Sequence, residues 1–236
     1  GTLPSNWELM TTLSYVFINS NLFSGTIPES ITSLVLMKSL NLSSNHLSGT
    51  VPRGFAHRRQ LEVLLLQDNA LLGDLDGVFN ATIQTNLTTV QLSNNQFTGT
   101  LPSELFELFS LKVVAAVSNC FTGSLPRSIC NSVTLNTLAL DGLQSATSCR
   151  KDLFPAALSR LVAKNLYSID QPLDGGIPMC LFQMPALTTL HLSGNALTGT
   201  ISEDLEVSHL LRDLSLSHNK LSGTIPPSLM SREWAS

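Results

Sequence analysis

Four cysteines and five histidines carry most of the reactive side-chain chemistry in this 236-residue chain. The cysteines, Cys120, Cys130, Cys149 and Cys180, all fall between positions 120 and 180. An even number gathered in one region reads as disulfides made in an oxidising compartment. No CxxC spacing and no nearby histidine pair accompanies them, which argues against zinc or any other metal. The histidines, His46, His57, His191, His209 and His218, are scattered. None stands with a serine or cysteine in a motif of nucleophilic catalysis, and no glycine loop is patterned to cradle phosphate. The expectation is a protein that is not an enzyme and needs no cofactor.

Charge narrows the partners. Lys and Arg total 13 against 17 acidic residues, for a formal net charge of −4. The densest basic run, His57 to Arg59, is a short solvated turn rather than a footprint for nucleic acid. No apolar run approaches the ~20 residues that a membrane-spanning helix needs.

What positions these side chains is a repeat. "LNLSSNHLSGTVP" at 40, "VQLSNNQFTGTLP" at 90, "LHLSGNALTGTIS" at 190 and "LSLSHNKLSGTIP" at 214 are variants of one unit. With the asparagine of each unit as origin, the series runs Asn21, Asn45, Asn69, Asn95 and Asn119. Leu143 and Gln171 then stand in for asparagine, before Asn195 and Asn219 resume the series. Spacings are 24, 24, 26, 24, 24, 28, 24 and 24, so nine units and a partial first one fill residues 1–236 as a single domain.

Each column has a physical task. Apolar residues eight, five and three before the origin, such as Leu211, Leu214 and Leu216, and two and six after it, such as Leu221 and Ile225, point into one narrow core. No unit closes that core alone; stacking closes it. The asparagine amide offers two donors and an acceptor, enough to satisfy backbone groups where the chain leaves its strand. Glycine at +4 marks a position intolerant of a Cβ. Proline at +7 suits the start of a short helical segment.

The pattern LxxLxLxxNxLxGxIP resembles leucine-rich repeats of the plant-specific type. These are found in ectodomains of receptor-like kinases and receptor-like proteins and in polygalacturonase-inhibiting proteins. The resemblance implies an α/β repeat solenoid: a right-handed superhelix with one parallel concave β-sheet and short 3-10 or helical turns on the convex side. Nine strands ~4.8 Å apart would give a length on the order of 45 Å. Family members also carry a cysteine-bearing N-terminal cap, whereas this chain starts and stops inside units. The expectation is a fragment of a longer chain, or end-to-end self-association through exposed core leucines.

The pattern breaks over residues 138–178, with an irregular island at about 141–175. Leu143 replaces the asparagine, Thr147 the glycine and Arg150 the proline, and the next unit runs to 28 residues with Gln171 at its origin. The turn must be rebuilt here, either as an island loop that shapes a binding site or as a decayed repeat that packs differently. All four cysteines flank the break. Register favours Cys120 with Cys149 and Cys130 with Cys180, because the alternative of Cys130 with Cys149 leaves Cys120 and Cys180 too far apart. Four buried free thiols are the rival reading.

Positions projecting from the sheet define a candidate binding face: Tyr15, Phe17, Lys38, Glu62, Leu65, Gln91, Val113, Tyr167, His191, Arg212 and Asp213. Aromatics beside a groove can stack on sugars or anchor a peptide, and the apolar centre suits a peptide or protein. The expected function is extracellular recognition of a peptide, protein or carbohydrate ligand, as part of a receptor-like ectodomain. Two alternatives remain: a secreted inhibitor of a cell-wall hydrolase or wall-associated protein, and an ice-binding protein acting through Ser/Thr pairs at +3 and +5. The mixed charge of the face speaks against an inhibitor of a basic enzyme. N-x-S/T sequons at Asn41, Asn80 and Asn86 are no more frequent than chance predicts; a glycan on Asn41 would stand on the concave face.

Overall fold

The computed structural model describes residues 1–145, 149, 151–152, 167–168 and 175–230. Among these, eight three-residue strands form one parallel sheet in chain order. They are β1 Tyr15–Phe17, β2 Ser39–Asn41, β3 Val63–Leu65, β4 Thr89–Gln91, β5 Val113–Ala115, β6 Thr137–Ala139, β7 Thr189–His191 and β8 Asp213–Ser215. Side chains alternate along a strand, so the central residue faces the core and its two neighbours face away. Val16, Leu40, Leu64, Val90, Val114, Leu138 and Leu190 are accordingly buried. Leu42, Leu66, Leu92, Leu140 and Leu192 join them, and Leu47, Leu71, Phe97, Phe121 and Leu197 complete one core along the solenoid.

Short 3-10 turns cross the back at Glu29–Ser33, Arg53–His57, Ser103–Glu107, Arg127–Asn131 and Met179–Phe182. The +7 prolines Pro28, Pro52, Pro102, Pro126 and Pro178 stand immediately before them. There the missing N–H is no loss, because a first turn leaves its donors unpaired. A second set of strands lines one flank, Ser24–Thr26, His46–Gly49, Ala70–Gly73 and Gln96–Phe97, with a separate pair at Thr198–Thr200 and Lys220–Ser222. The +4 glycines sit on this flank. Gly49 has φ +75°, and a Cβ there would come 2.8 Å from the methyl of Thr26 in the preceding unit. Thr50 meets Gly73 in the same way. The Thr and Gly columns therefore interlock from unit to unit.

Asparagine links the units. The Asn119 side chain is fully buried: its Oδ1 accepts the N–H of Phe97 at 3.1 Å, and its Nδ2 donates to the carbonyls of Leu92, Ala116 and Val117 at 3.0, 3.0 and 3.3 Å. Asn45, Asn69, Asn95 and Asn219 repeat the arrangement, each reaching back to the unit before it. The Asn21 side chain, in the first complete unit, is exposed, and its Nδ2 donates to the nearby carbonyls of Ile18 and Asn19 rather than to the unit before it.

The break shows in the order of the sheet. β6 pairs directly with β7, Thr137 opposite Thr189 and Ala139 opposite His191, so no strand of an expected unit centred on Gln171 lies between them. Among the described residues the main sheet has eight strands, and Gln171 itself lies outside them. The turn is rebuilt with groups from both sides. Asn195 bonds across the junction of β6 with β7, its Oδ1 accepting the Leu143 N–H at 2.8 Å and its Nδ2 donating to the Leu140 carbonyl at 2.8 Å. The Leu143 carbonyl accepts the Phe121 N–H at 2.8 Å, the donor that regular units direct at an asparagine.

Two disulfides fasten this junction. Cys120 is bonded to Cys149 and Cys130 to Cys180, with Cα separations of 5.3 and 5.6 Å, and no cysteine is free. The first holds Cys149 beside Asn119. The second joins the back turns Arg127–Asn131 and Met179–Phe182, which belong to units whose strands β6 and β7 pair directly.

Two stability tests follow from these contacts. Asn119→Ala strands a buried N–H and should cost about 2–4 kcal/mol in urea unfolding, whereas Asn21→Ala should cost less than about 1 kcal/mol. Replacing Cys130 and Cys180 together by serine should lower stability by about 2–4 kcal/mol, read as an earlier urea midpoint.

Candidate functional site

Burying the central residue of each strand leaves two rows of outward side chains on the main sheet. The first row runs Tyr15, Ser39, Val63, Thr89, Val113, Thr137, Thr189, Asp213. The second runs Phe17, Asn41, Leu65, Gln91, Ala115, Ala139, His191, Ser215. Strands ~4.8 Å apart make each row about 34 Å long, the reach of about ten extended residues.

The rows change character along their length. At one end Tyr15 and Phe17 are 56% and 61% exposed, with ring centroids 6.2 Å apart. Large aromatics left this open are the exception on a surface and the rule at contact sites. Beside them Lys38 Nζ lies 3.5 Å from Glu62 Oε1, a half-exposed pair worth only about 0.2–1 kcal/mol. The centre is apolar and shallow: Val63, Leu65, Val113 and Ala139 are half-buried, next to the amide of Gln91. Ser39 and Ala115, expected to be open, are only 8% exposed.

The far end is charged. The His191 ring lies between two carboxylates, Nε2 2.9 Å from Asp213 Oδ2 and Nδ1 3.5 Å from Asp141 Oδ2. The closer contact is not aligned as a hydrogen bond. Asp141 also accepts the N–H of Ser193, which ties the turn after β6 to the one after β7. Because the carboxylates face opposite edges of the ring, they do not converge on one point. Among the described residues no group of three His, Cys, Asp or Glu is placed to hold a metal ion. Arg212 is exposed at the entry to β8.

Ten of the eleven candidate residues thus sit on the main sheet or at the ends of its strands. Tyr167 does not: it belongs to a separate antiparallel ribbon, Lys151–Asp152 with Tyr167–Ser168, outside the parallel sheet. Asp141 is the member that sequence reasoning did not single out. It stands two before the Leu143 that replaces asparagine, and its partner His191 is 50 positions away, adjacent only because β6 meets β7. A hollow of about 480 Å³, lined by Ile201, Leu214, Leu216, Leu221, Ile225 and Leu229, is the open core face of the last described unit rather than part of these rows.

The comparisons with known proteins agree with this geometry. Family models described as leucine-rich repeat match residues 11–71 and residues 86–108, 186–207 and 210–231, together more than half of the chain. Receptor-like protein 54 of Arabidopsis thaliana is 31% identical over 140 residues, which is 58% of this chain and 17% of that protein. The chain therefore spans about a sixth of that relative's length. The Arabidopsis receptor kinase HAESA ectodomain, solved with a peptide hormone ligand, superposes with TM-score 0.77 and 27% identity, covering 98% of this chain and 34% of that one. A plant ice-binding protein superposes with TM-score 0.76 and 27% identity, covering 97% and 64%. On its repeat columns, its solenoid and these matches, the chain belongs to the leucine-rich-repeat family.

Proposed function

We propose that the chain is the recognition part of an extracellular receptor-like protein and that an extended peptide lies along its concave face. The observation that carries this reading is the graded surface of the two rows. An aromatic pair at β1, a shallow apolar middle and the Asp141–His191–Asp213 group at β6–β8 succeed one another on a sheet whose core faces the other way. Such a surface supplies anchors at one end, contact area in the middle and charge-based orientation at the other. The likeness to the peptide-bound HAESA ectodomain supports a peptide over a carbohydrate or a second folded protein. Two disulfides support passage through the secretory pathway. No helix among the described residues is long and apolar enough to cross a membrane.

The likeness to an ice-binding protein would instead make the Ser/Thr flank the working surface. Against this, flank strands pair with a stagger of two, Thr26 opposite Ser48 and Thr200 opposite Ser222, so like positions do not align. The flank is also split into a four-stranded and a two-stranded part. A peptide site needs no such alignment.

The reading is tested with a random peptide library panned on the immobilised chain. Peptides recovered should bind Phe17→Ala, and the pair Arg212→Glu with Asp213→Lys, at least tenfold more weakly, about 1.4 kcal/mol or more. Unchanged affinity in these variants, together with loss in Thr26→Lys or Thr50→Lys, would move the site to the flank.

A further inference from the structure

The three sequons are presented in three different ways, and the difference sorts them. We propose that Asn80 carries an N-linked glycan and that Asn41 and Asn86 do not, so that sugar covers the convex side and leaves the concave rows open. The inference needs only passage through the secretory lumen, not the binding of any ligand.

Asn80 stands on the back segment of the 26-residue unit that begins at Asn69, two residues longer than its neighbours. Its Oδ1 accepts both the N–H of Thr82 at 3.0 Å and the Thr82 hydroxyl at 2.7 Å. This local turn joins the two essential residues of the sequon. Its Nδ2 then has no protein partner among the described residues and is the atom to be modified. The surrounding frame does not depend on that nitrogen. The fully buried Gln84 accepts the Asn80 N–H at 2.8 Å and donates to the Phe55 carbonyl at 3.0 Å. The Asn80 carbonyl accepts the N–H groups of Ile83 and Gln84. Thr82 is exposed, so neither the acceptor nor its hydroxyl partner has to leave the core.

The other sequons are committed elsewhere. Asn86 Nδ2 donates to the Arg59 carbonyl at 3.0 Å, and the Thr88 hydroxyl donates to the Glu62 carbonyl at 3.0 Å rather than to Asn86. Asn41 makes the same local turn with Ser43 as Asn80 does with Thr82. However, it ends β2 between Phe17 and Leu65, followed by a fully buried Leu42 and a Ser43 that is only 5% exposed. A sugar there would fill the groove.

The step itself balances. An oligosaccharide arrives on a lipid pyrophosphate; the bond from Asn80 Nδ2 to the sugar C1 forms as the C1–O bond to pyrophosphate breaks. One Nδ2 proton leaves to the freed pyrophosphate, and the remaining N–H stays on the glycosylated amide.

The test is cell-free translation of the full chain behind a secretory leader, with endoplasmic-reticulum microsomes and with or without peptide N-glycosidase. The wild-type chain should show a single glycosidase-sensitive step in mobility. Asn80→Gln and Thr82→Ala should lose it, Thr82→Ser should keep it, and Asn41→Gln and Asn86→Gln should leave it unchanged. A step that persists in Asn80→Gln, disappears in Asn41→Gln or is absent from the wild type overturns the proposal. Glycan transfer is read directly from mobility in the glycosidase-treated and untreated lanes. It is also independent of peptide binding, so either reading can fail without the other.

Discussion

Everything in this molecule hangs on one buried amide repeated along the stack. A three-residue strand cannot hold a turn by itself, and the chain leaves each strand with carbonyls and N–H groups facing the interior. Asn119 and its counterparts fill that deficit by bonding two consecutive units through one side chain. Buried polar groups must be paired, so the asparagine column sets the register of the stack as firmly as the leucines set its cohesion. Leucine cores tolerate sliding; a ladder of directed bonds does not.

The same constraint explains the junction. With leucine in place of asparagine at position 143, a regular turn would leave the Phe121 N–H stranded. The chain answers with the Leu143 carbonyl on one side and Asn195 on the other, and β6 closes directly on β7. The two disulfides, Cys120 with Cys149 and Cys130 with Cys180, fasten the units on either side of this junction. One consequence lies on the open face, where Asp141, His191 and Asp213, drawn from three separate stretches of the sequence, become neighbours.

Much of this was legible in the residues. Leu, Asn, Gly and Pro each recur for a separate physical reason, so their coincidence at one period admits few folds. Register favoured the observed pairing of Cys120 with Cys149 and of Cys130 with Cys180, although it did not by itself bring the units of the second bridge together. What was not legible was the direct pairing of β6 with β7. Gly175 and Pro178 stand at the offsets that a unit centred on Gln171 requires, whereas Tyr167, at its strand position, lies in the antiparallel ribbon. Tyr167 was placed on the sheet by that spacing, and Asp141 was passed over because its partners are neighbours only where β6 meets β7. The Ser/Thr columns were weighed only as an alternative, ice-binding surface; the interlock of Thr26 with Gly49 gives the Thr column a packing role inside the stack.

The two outward rows need nothing from the core, which is why their residues vary freely while the buried columns hold their types. A rigid sheet with independent outward positions loses little conformational entropy when a ligand settles on it. The most direct measurement is hydroxyl-radical footprinting of the chain with and without a saturating library-derived peptide. Labelling should fall at Tyr15, Phe17, Leu65 and His191 while Phe109 and Val133 outside the rows stay unchanged. Protection confined to Phe109, Val133 or the flank, with the concave rows as reactive as before, would contradict the account.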